Sequence, residues 1–162
     1  MNELIEKIAK MLVKNNLTIS CAESCTGGLL SSTFTDISGS SEFVKINFVT
    51  YANEAKIKFV DVKPETLNMY GAVSEQTSFE MAKGLLKYAD IGISTTGIAG
   101  PTGGSTEKPV GLMYSTICTK EFSQTKKILL PSNIERIEMK KKFVEEVFKF
   151  VYEVLSKNIE KE

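Results

Sequence analysis

The chain has 162 residues, of which 42% are hydrophobic and 25% charged, a composition typical of one soluble globular domain. Lys and Arg number 20, as do Asp and Glu, so the basic excess of a nucleic-acid-binding protein is missing. No apolar run approaches the ~20 residues of a membrane span, and three cysteines give no disulfide framework. We therefore expect a single cytoplasmic domain over residues 1–162, with no nucleic-acid or membrane partner.

Hydrophobic periodicity and helix-boundary signals predict helices that alternate with strands. Helices are predicted at residues 2–15, 29–34, 54–60 (with Asn53 as N-cap), 64–70 (ended by Gly71), 74–86, and from Pro131 towards the C-terminus with Ile137 on the apolar face. Strands are predicted at residues 17–22, 43–51, 91–96, 110–119 and 122–130. This order predicts an α/β fold, a three-layer α/β/α sandwich with a mixed, mostly parallel sheet, because only the last two strands follow each other directly.

The sequence contains no histidine. This excludes the Ser-His-Asp and Cys-His solutions to nucleophilic catalysis and removes the commonest zinc ligand. A general base would have to be a carboxylate, a lysine, a tyrosine or an N-terminal amine. No metal or other cofactor is indicated.

Three polar or glycine-rich segments follow predicted strands, at residues 23–28, 51–56 and 97–105. Ligands bind beyond the carboxyl ends of the strands in open α/β sheets, so we expect these segments to converge on one crevice. The third segment has four glycines, whose backbone N–H groups could hold a phosphate, although an ordinary flexible loop has the same composition. It is not a P-loop, because no lysine precedes Ser105 and the glycine spacing differs.

Ser24, followed by Gly27 and Gly28, is expected at the start of a helix. Free N–H groups and the positive end of the helix dipole stabilise negative charge there, which suits a nucleophilic hydroxyl and an oxyanion site. A helix N-cap serine before a packing pair of glycines fits the same spacing. Cys25 competes for the role of nucleophile, but no imidazole is available to activate it. We expect Cys25 and Cys21 to be small, semi-buried residues that fill space in the core.

Tyr51 is expected at a strand end and Lys56 one turn into the next helix. Lys56 can act as a base only if burial, for example among Phe48, Ile57 and Phe59, lowers its pKa from ~10.4 towards ~7–8. The alternative is that Lys56 is an ordinary surface lysine and Tyr51 a core residue with a solvated hydroxyl, neither of them catalytic. Short-chain dehydrogenases also use a Tyr and Lys pair, but their G-x-G-x-x-G fingerprint is missing, which excludes that class.

Six blocks of sequence, spread over nearly the whole chain, carry a resemblance. They lie at residues 22–28, 39–41, 48–56, 71–75, 96–104 and 108–111. Together they resemble the CinA C-terminal domain family, members of which hydrolyse the carboxamide of nicotinamide mononucleotide (the PncC type of nicotinamide-nucleotide amidase). The resemblance implies release of ammonia and nicotinic acid mononucleotide in pyridine-nucleotide recycling. It also implies an α/β/α sandwich, often dimeric, so we expect a homodimer without the N-terminal nucleotide-processing domain of longer CinA proteins.

The family's serine, tyrosine and lysine fall on Ser24, Tyr51 and Lys56. Neutral Lys56 would deprotonate Ser24, backbone N–H groups of residues 24–28 would hold the oxyanion, and Tyr51 would protonate the departing ammonia. The residues expected to contact the nucleotide substrate are Thr26, Gly27, Gly28, Asn53, Thr96, Gly97, Gly100 and Arg136.

Near the C-terminus the family has a Gly-Asp-Arg block followed by a second arginine. Here Ile134, Glu135 and Arg136 keep only the arginine, and Lys140 stands in the last place. If this block contacts the substrate phosphate or a dimer partner, we expect that contact to differ from the one in the family. Two other functions fit the sequence: a non-catalytic nucleotide-binding or regulatory domain, and an amidase for another small carboxamide.

Overall fold

Helices and strands alternate along the protein, whose structure is a computed structural model that describes residues 1–159. The last three residues of the predicted domain, 160–162, lie outside the described residues. The helices are α1 (Asn2–Lys14), α2 (Leu29–Phe34), α3 (Asn53–Val60), α4 (Pro64–Tyr70), α5 (Glu75–Gly84) and α6 (Arg136–Asn158). The strands are β1 (Ile19–Glu23), β2 (Phe48–Val49), β3 (Ile91–Gly97), β4 (Leu112–Cys118) and β5 (Ser123–Leu129).

The five strands form one sheet in the order β2-β1-β3-β4-β5. β1 pairs in parallel with β2 and β3, whereas β4 is antiparallel to both β3 and β5, so four of the five strands run in one direction. The predicted mixed, mostly parallel sheet is confirmed. The chain leaves β1 to one side for β2 and later returns to the other side for β3. The carboxyl end of β1 is therefore a topological switch point, where open α/β sheets bind ligands.

Helices cover both faces of the sheet. α1, α2 and α6 form the larger core with one face, and residues from α3, α5 and the segment around them form a smaller core with the other. Cys21 belongs to the first core and Ala22 to the second, because successive side chains of a strand point to opposite faces. The three-layer α/β/α sandwich is confirmed. None of the helices in residues 1–159 combines the length and apolar character that a membrane span needs.

The strand predicted at residues 43–51 is wrong in extent, because only Phe48–Val49 forms one. The side-chain carbonyl of Asn47 accepts the Cys21 N–H at 2.8 Å, and the hydroxyl of Ser20 donates to the Ile46 carbonyl at 2.5 Å. Side chains thus replace backbone ladder hydrogen bonds along this edge. A hydrophobicity pattern does not reveal such a replacement.

Two helix starts also differ from the sequence prediction. Asn53 is not an N-cap but the first residue of α3, and Ala52 is the cap without a side-chain hydrogen bond. α6 begins at Arg136 rather than near Pro131, and its first core residue is Met139. Ile137 is 69% exposed and not part of the apolar face, because the first turn of α6 extends beyond the core.

Candidate active site

A cavity of about 520 Å³ lies at the carboxyl ends of β1 and β3, within the size range of small-molecule sites. Its lining combines the three strand exits with one residue of α6: Ser24, Cys25, Tyr51, residues 97–103 and Arg136. The three segments therefore meet at one crevice, as the sequence predicts. A larger groove of about 660 Å³ between α1 and residues 36–43 contains none of the predicted site residues.

Lys56 reaches Ser24 from α3. Its Nζ lies 3.1 Å from Ser24 Oγ, 2.8 Å from the Thr50 carbonyl oxygen and 3.0 Å from the Tyr51 carbonyl oxygen. A neutral amine has two N–H donors and one lone pair. When the two carbonyls accept the two N–H groups, the lone pair faces the Ser24 hydroxyl. The site is therefore arranged for a neutral lysine to accept the serine proton.

The burial of Lys56 supports the neutral form. The residue is 1% exposed, and its burial lowers the pKa from 10.5 to about 8. At pH 7 roughly a tenth of such an amine is neutral, far more than for a surface lysine. Ile57 and Phe59 are 36% and 41% exposed, so these sequence neighbours contribute little to the burial. The first turns of α3 direct Lys56 inward, against the ends of the strands.

Cys25 lines the same cavity but differs from Ser24 in its electrostatics. Burial raises the pKa of the Cys25 thiol to about 12, and the Glu23 carboxylate adds to this shift. Burial likewise raises the pKa of Cys21. Both thiols stay protonated near neutral pH, whereas Ser24 has an adjacent base. The geometry thus favours Ser24 over Cys25 as the nucleophile.

Ser24 does not lie at the start of α2, contrary to the sequence prediction. Gly28, with φ of 99°, is the N-cap of that helix. The N–H groups of Gly28, Leu30 and Ser31 donate to the Glu23 carboxylate at 3.2, 2.8 and 2.9 Å. These helix donors are satisfied internally, so they are not available to stabilise an alkoxide at Ser24.

One backbone N–H group near Ser24 is available instead. The N–H of Ser24 donates to the Thr95 carbonyl at 3.0 Å, and that of Gly27 donates to the Ser24 carbonyl at 3.1 Å. Within residues 1–159 the N–H of Thr26 has no acceptor, and that of Cys25 has only its own sulfur. Cys25 lines the cavity, whereas Thr26 is fully buried and does not, so the Cys25 N–H is the candidate oxyanion donor of this turn.

Tyr51 lies at the rim of the cavity and is 60% exposed. Arg136 donates from Nη2 to the Tyr51 hydroxyl oxygen at 3.1 Å and from Nη1 to the Gly100 carbonyl at 2.6 Å. Since a guanidinium group can only donate, the Tyr51 oxygen must accept. The phenolic proton of Tyr51 is then free to be donated to a ligand in the cavity.

Of the four predicted glycines, Gly97 and Gly100 belong to the cavity wall, whereas Gly27 and Gly28 do not. Gly27 and Gly28 have φ values of 59° and 99°, so any side chain would strain the turn that follows Ser24. The Lys140 ammonium lies over this turn, 3.3 Å from the position that a Cβ of Gly27 would occupy.

Three other predicted substrate contacts do not line the cavity. Thr26 is fully buried and donates its hydroxyl proton to Glu23 at 2.6 Å. Thr96 is 1% exposed and donates to the Ala72 carbonyl at 2.7 Å. Asn53 is exposed on α3. The geometry gives no support to a role for these side chains in binding substrate.

Glu23 is a buried residue to which the sequence pattern assigns no role. It ends β1 directly before Ser24 and is 0% exposed. A charged residue that directly follows a predicted strand, before a run of Ser, Thr and Gly donors, is the signal that marks it. No group of three or more His, Cys, Asp or Glu side chains in residues 1–159 is arranged to hold a metal ion.

Comparison with known proteins identifies the family. The sequence model described as the CinA C-terminal domain matches residues 1–155. The chain belongs to the CinA C-terminal domain family. The resemblance carried by the six sequence blocks is therefore confirmed at the level of the family.

Longer bacterial proteins contain relatives of this CinA C-terminal domain. A Clostridium novyi (strain NT) protein named as a competence-damage inducible protein is 53% identical over 136 residues, 83% of this chain and 33% of that protein. A protein of the same name from Acetivibrio thermocellus is 50% identical over 137 residues, with the same shares covered. The chain thus spans about a third of the length of the curated relatives that it matches.

Crystal structures of related proteins have the same fold. The competence/damage inducible protein CihA from Agrobacterium tumefaciens is 39% identical with a TM-score of 0.88, and the match covers 92% of each chain. The competence damage-inducible protein A from Klebsiella pneumoniae is 31% identical with a TM-score of 0.89, covering 95% of this chain and 96% of that one. The α/β architecture of this CinA C-terminal domain is thus the one found in solved members of the superfamily.

Proposed function

We propose that this domain hydrolyses the carboxamide of nicotinamide mononucleotide to nicotinic acid mononucleotide and ammonia, with Ser24 as nucleophile and Lys56 as its base. The observation that carries the proposal is the 3.1 Å contact between Lys56 Nζ and Ser24 Oγ, made by a lysine that is 1% exposed. The geometry supports attack on a carbonyl by a serine. The family resemblance supplies the substrate class.

In the first half-reaction Ser24 Oγ attacks the carboxamide carbon while its proton passes to the lone pair of Lys56. The two carbonyls that bind the lysine also stabilise the ammonium that forms, so the proton transfer needs no rearrangement of the site. The oxygen of the tetrahedral intermediate accepts a hydrogen bond from the N–H group of Cys25, which lines the cavity. Preorganised donors of this kind are each worth ~10²–10³ in rate.

The amide nitrogen leaves only after it is protonated. Tyr51 supplies this proton, because its oxygen already accepts from Arg136 and its O–H is free. The C–N bond then breaks, ammonia departs, and the acyl group stays on Ser24. In the second half-reaction a water molecule gives a proton to the Tyr51 phenolate and attacks the ester. The Lys56 ammonium returns its proton to Ser24 Oγ as that oxygen leaves, so the carboxylic acid is released and both residues regain their starting states.

The remainder of the nucleotide lies along the glycine-rich side of the cavity in this proposal. Within residues 1–159 the N–H groups of Gly100, Thr102 and Gly103 have no acceptor, and residues 97–103 line the cavity. Backbone N–H groups left free in such a loop suit a phosphate. Arg136 adds positive charge at the same rim and holds the loop through the Gly100 carbonyl.

A substrate panel tests the proposal. Ammonia release and product mass are measured with nicotinamide mononucleotide, nicotinamide riboside and nicotinamide. We expect kcat/KM to fall by at least ~10-fold when the phosphate is removed, because each lost charged contact is worth about that factor or more. Preferred turnover of nicotinamide would instead indicate an amidase for another small carboxamide. Binding of the mononucleotide without any ammonia release would indicate a binding domain.

The Tyr51→Phe variant tests the proton donor. We expect kcat to fall ~10²-fold, the usual contribution of a general acid, while KM changes little. The melting temperature should be unchanged, because the side chain is 60% exposed and its hydroxyl bonds only at the rim. Steady-state kinetics and a thermal melt measure both quantities. Tyr70→Phe, an exposed tyrosine at the end of α4, is the matched control and should match the native kinetics. Equal kcat in the two variants would remove Tyr51 from the mechanism.

A further inference from the structure

The carboxylate of Glu23 is fully buried directly beside the nucleophile and collects five hydrogen bonds. Its Oε1 accepts from the hydroxyl of Thr26 and from the N–H groups of Gly28 and Leu30, at 2.6, 3.2 and 2.8 Å. Its Oε2 accepts from the N–H and the hydroxyl of Ser31, at 2.9 and 2.5 Å. The carboxylate thereby joins the end of β1 to the start of α2 across the turn that carries Ser24.

Only an ionised carboxylate satisfies all five donors, because it accepts on both oxygens and donates nothing. A glutamine of the same shape would present its N–H₂ group to at least one backbone N–H, which cannot accept a hydrogen bond. Either the donors at Oε1 or those at Oε2 would then lose their acceptor. A buried donor without an acceptor is costly, so the turn would rearrange.

The same carboxylate fixes the direction of a hydrogen-bond chain that returns to Ser24. Thr26 has a single hydroxyl proton and donates it to Glu23. In the 2.8 Å contact between the two threonine hydroxyls, Thr95 must therefore be the donor. The lone pairs of Thr95 Oγ1 are then turned towards the Ser24 N–H, 3.4 Å away, which also donates to the Thr95 carbonyl. Thus Glu23, Thr26 and Thr95 hold the backbone of Ser24, and none of the three lines the cavity.

We propose that Glu23 is the positioning residue of the nucleophile: through the turn and through Thr26 and Thr95 it holds Ser24 Oγ within reach of Lys56 and keeps the Cys25 N–H group free for the oxyanion. Glu23 does not line the cavity and does not take part in the chemistry. The inference rests on the proposed function in that Ser24 is the attacking group, but it does not depend on which carboxamide is the substrate.

The kinetic test is Glu23→Gln, with Glu80→Gln as its matched control. Glu80 is also a carboxylate that binds a helix start, accepting from the Lys63 N–H at 2.8 Å and the Thr66 hydroxyl at 2.6 Å, but it does not line the cavity. Both variants should melt at a lower temperature. We expect only Glu23→Gln to lower kcat, by ~10²-fold, because a misplacement of ~1 Å costs about that much. KM should stay as in the native protein, and so should the pH at which the rate rises as Lys56 loses its proton. A native kcat in folded Glu23→Gln would overturn the proposal, since a merely structural carboxylate would behave like Glu80.

A second readout separates this inference from the proposed function. An alkyl fluorophosphonate reacts with an activated serine by forming a P–O bond to Oγ and expelling fluoride, and the serine proton passes to the base. The labelling rate therefore reports the reactivity of Ser24 for any substrate, with Ser24→Ala as the blank. We expect labelling to slow ~10²-fold in Glu23→Gln and not in Glu80→Gln. If the native protein is labelled but does not hydrolyse nicotinamide mononucleotide, the substrate is wrong and the positioning role stands.

Thr26→Val and Thr26→Ser keep the test decisive if Glu23→Gln does not fold. Valine preserves the shape of threonine but removes the hydroxyl that links Glu23 to Thr95, whereas serine retains it. We expect slower labelling and a lower kcat in Thr26→Val and near-native values in Thr26→Ser. Equal labelling rates of the two variants would show that the hydrogen bonds from Glu23 through Thr26 to Thr95 do not position Ser24.

Discussion

The Ser24→Ala variant is expected to lower the rate of ammonia release by at least ~10⁴-fold, because loss of the nucleophile removes the covalent route altogether. The fold should be unaffected. Among the hydrogen bonds of residues 1–159, the Ser24 hydroxyl takes part only in the one with Lys56. Ammonia release and circular dichroism measure the two effects. Substrate affinity, measured by calorimetry, should change little, since the hydroxyl reacts with the substrate rather than anchoring it.

Ser32→Ala is the matched control, because Ser32 lies on the exposed face of α2. It should retain native turnover. Mass spectrometry of the native protein after acid quenching adds a direct test, since an acyl group on Ser24 accumulates if the second half-reaction is the slower one. Turnover by Ser24→Ala at a rate near that of the native protein would rule out Ser24 as nucleophile, and with it the role given to Glu23.

The layers of the fold could be predicted from the sequence because they follow from hydrophobic periodicity. Apolar residues of α1 recur every three or four positions and are buried, as Ile5, Ile8 and Leu12 show. β3 is a run of small and β-branched residues that ends in glycine, and it lies buried at the centre of the sheet. The short strand β2 could not be predicted in extent, since Asn47 and Ser20 replace ladder hydrogen bonds with side-chain ones.

The meeting of Ser24, Tyr51 and Gly97 could be predicted because parallel neighbouring strands end at the same edge of a sheet. The burial of Lys56 could not be predicted from Ile57 and Phe59, which are themselves exposed. It depends on the direction in which α3 leaves Ala52, a matter of backbone path. The sequence marks Glu23 only as a charged residue at the end of a strand. Its hydrogen bonds could not be predicted, because three of the five donors are backbone N–H groups, which every sequence has.

The Lys56→Arg variant is expected to lower kcat by ~10³-fold, within the range of a lost general base. Arginine keeps the positive charge and can still donate to the Thr50 and Tyr51 carbonyls, but it does not lose its proton in proteins. The variant therefore separates a base from a mere donor. Lys58→Arg, on the exposed side of the same helix, is the matched control. Near-native kcat in Lys56→Arg would show that the group acts by charge and hydrogen bonding alone.

The pH–rate profile shows whether the reaction requires Lys56 in its neutral form. Burial lowers the pKa of Lys56 to about 8, so the neutral, active form grows as the pH rises to that value. We expect kcat/KM to rise ~10-fold per pH unit below this pKa and to level off above it. Lys56→Arg should lose this ascending limb, whereas Lys58→Arg should retain it. If kcat/KM of the native protein instead rises only near pH 10.5, the pKa of an ordinary lysine, Lys56 is not the base.

The lowered pKa of Lys56 also makes the free energy of unfolding depend on pH, whether or not a substrate is present. Between the folded pKa of about 8 and the ordinary value of 10.5, the unfolded chain holds a proton on Lys56 that the folded chain has lost. The unfolded state binds more protons in that interval, so this group makes the free energy of unfolding rise with pH there and contributes no slope below it. Urea unfolding of the native protein and of Lys56→Arg, compared from pH 7 to pH 10, should show the difference between them moving in favour of the native protein above pH 8. A constant difference would mean that the buried amine is charged throughout, and a charged amine has no lone pair to take the serine proton.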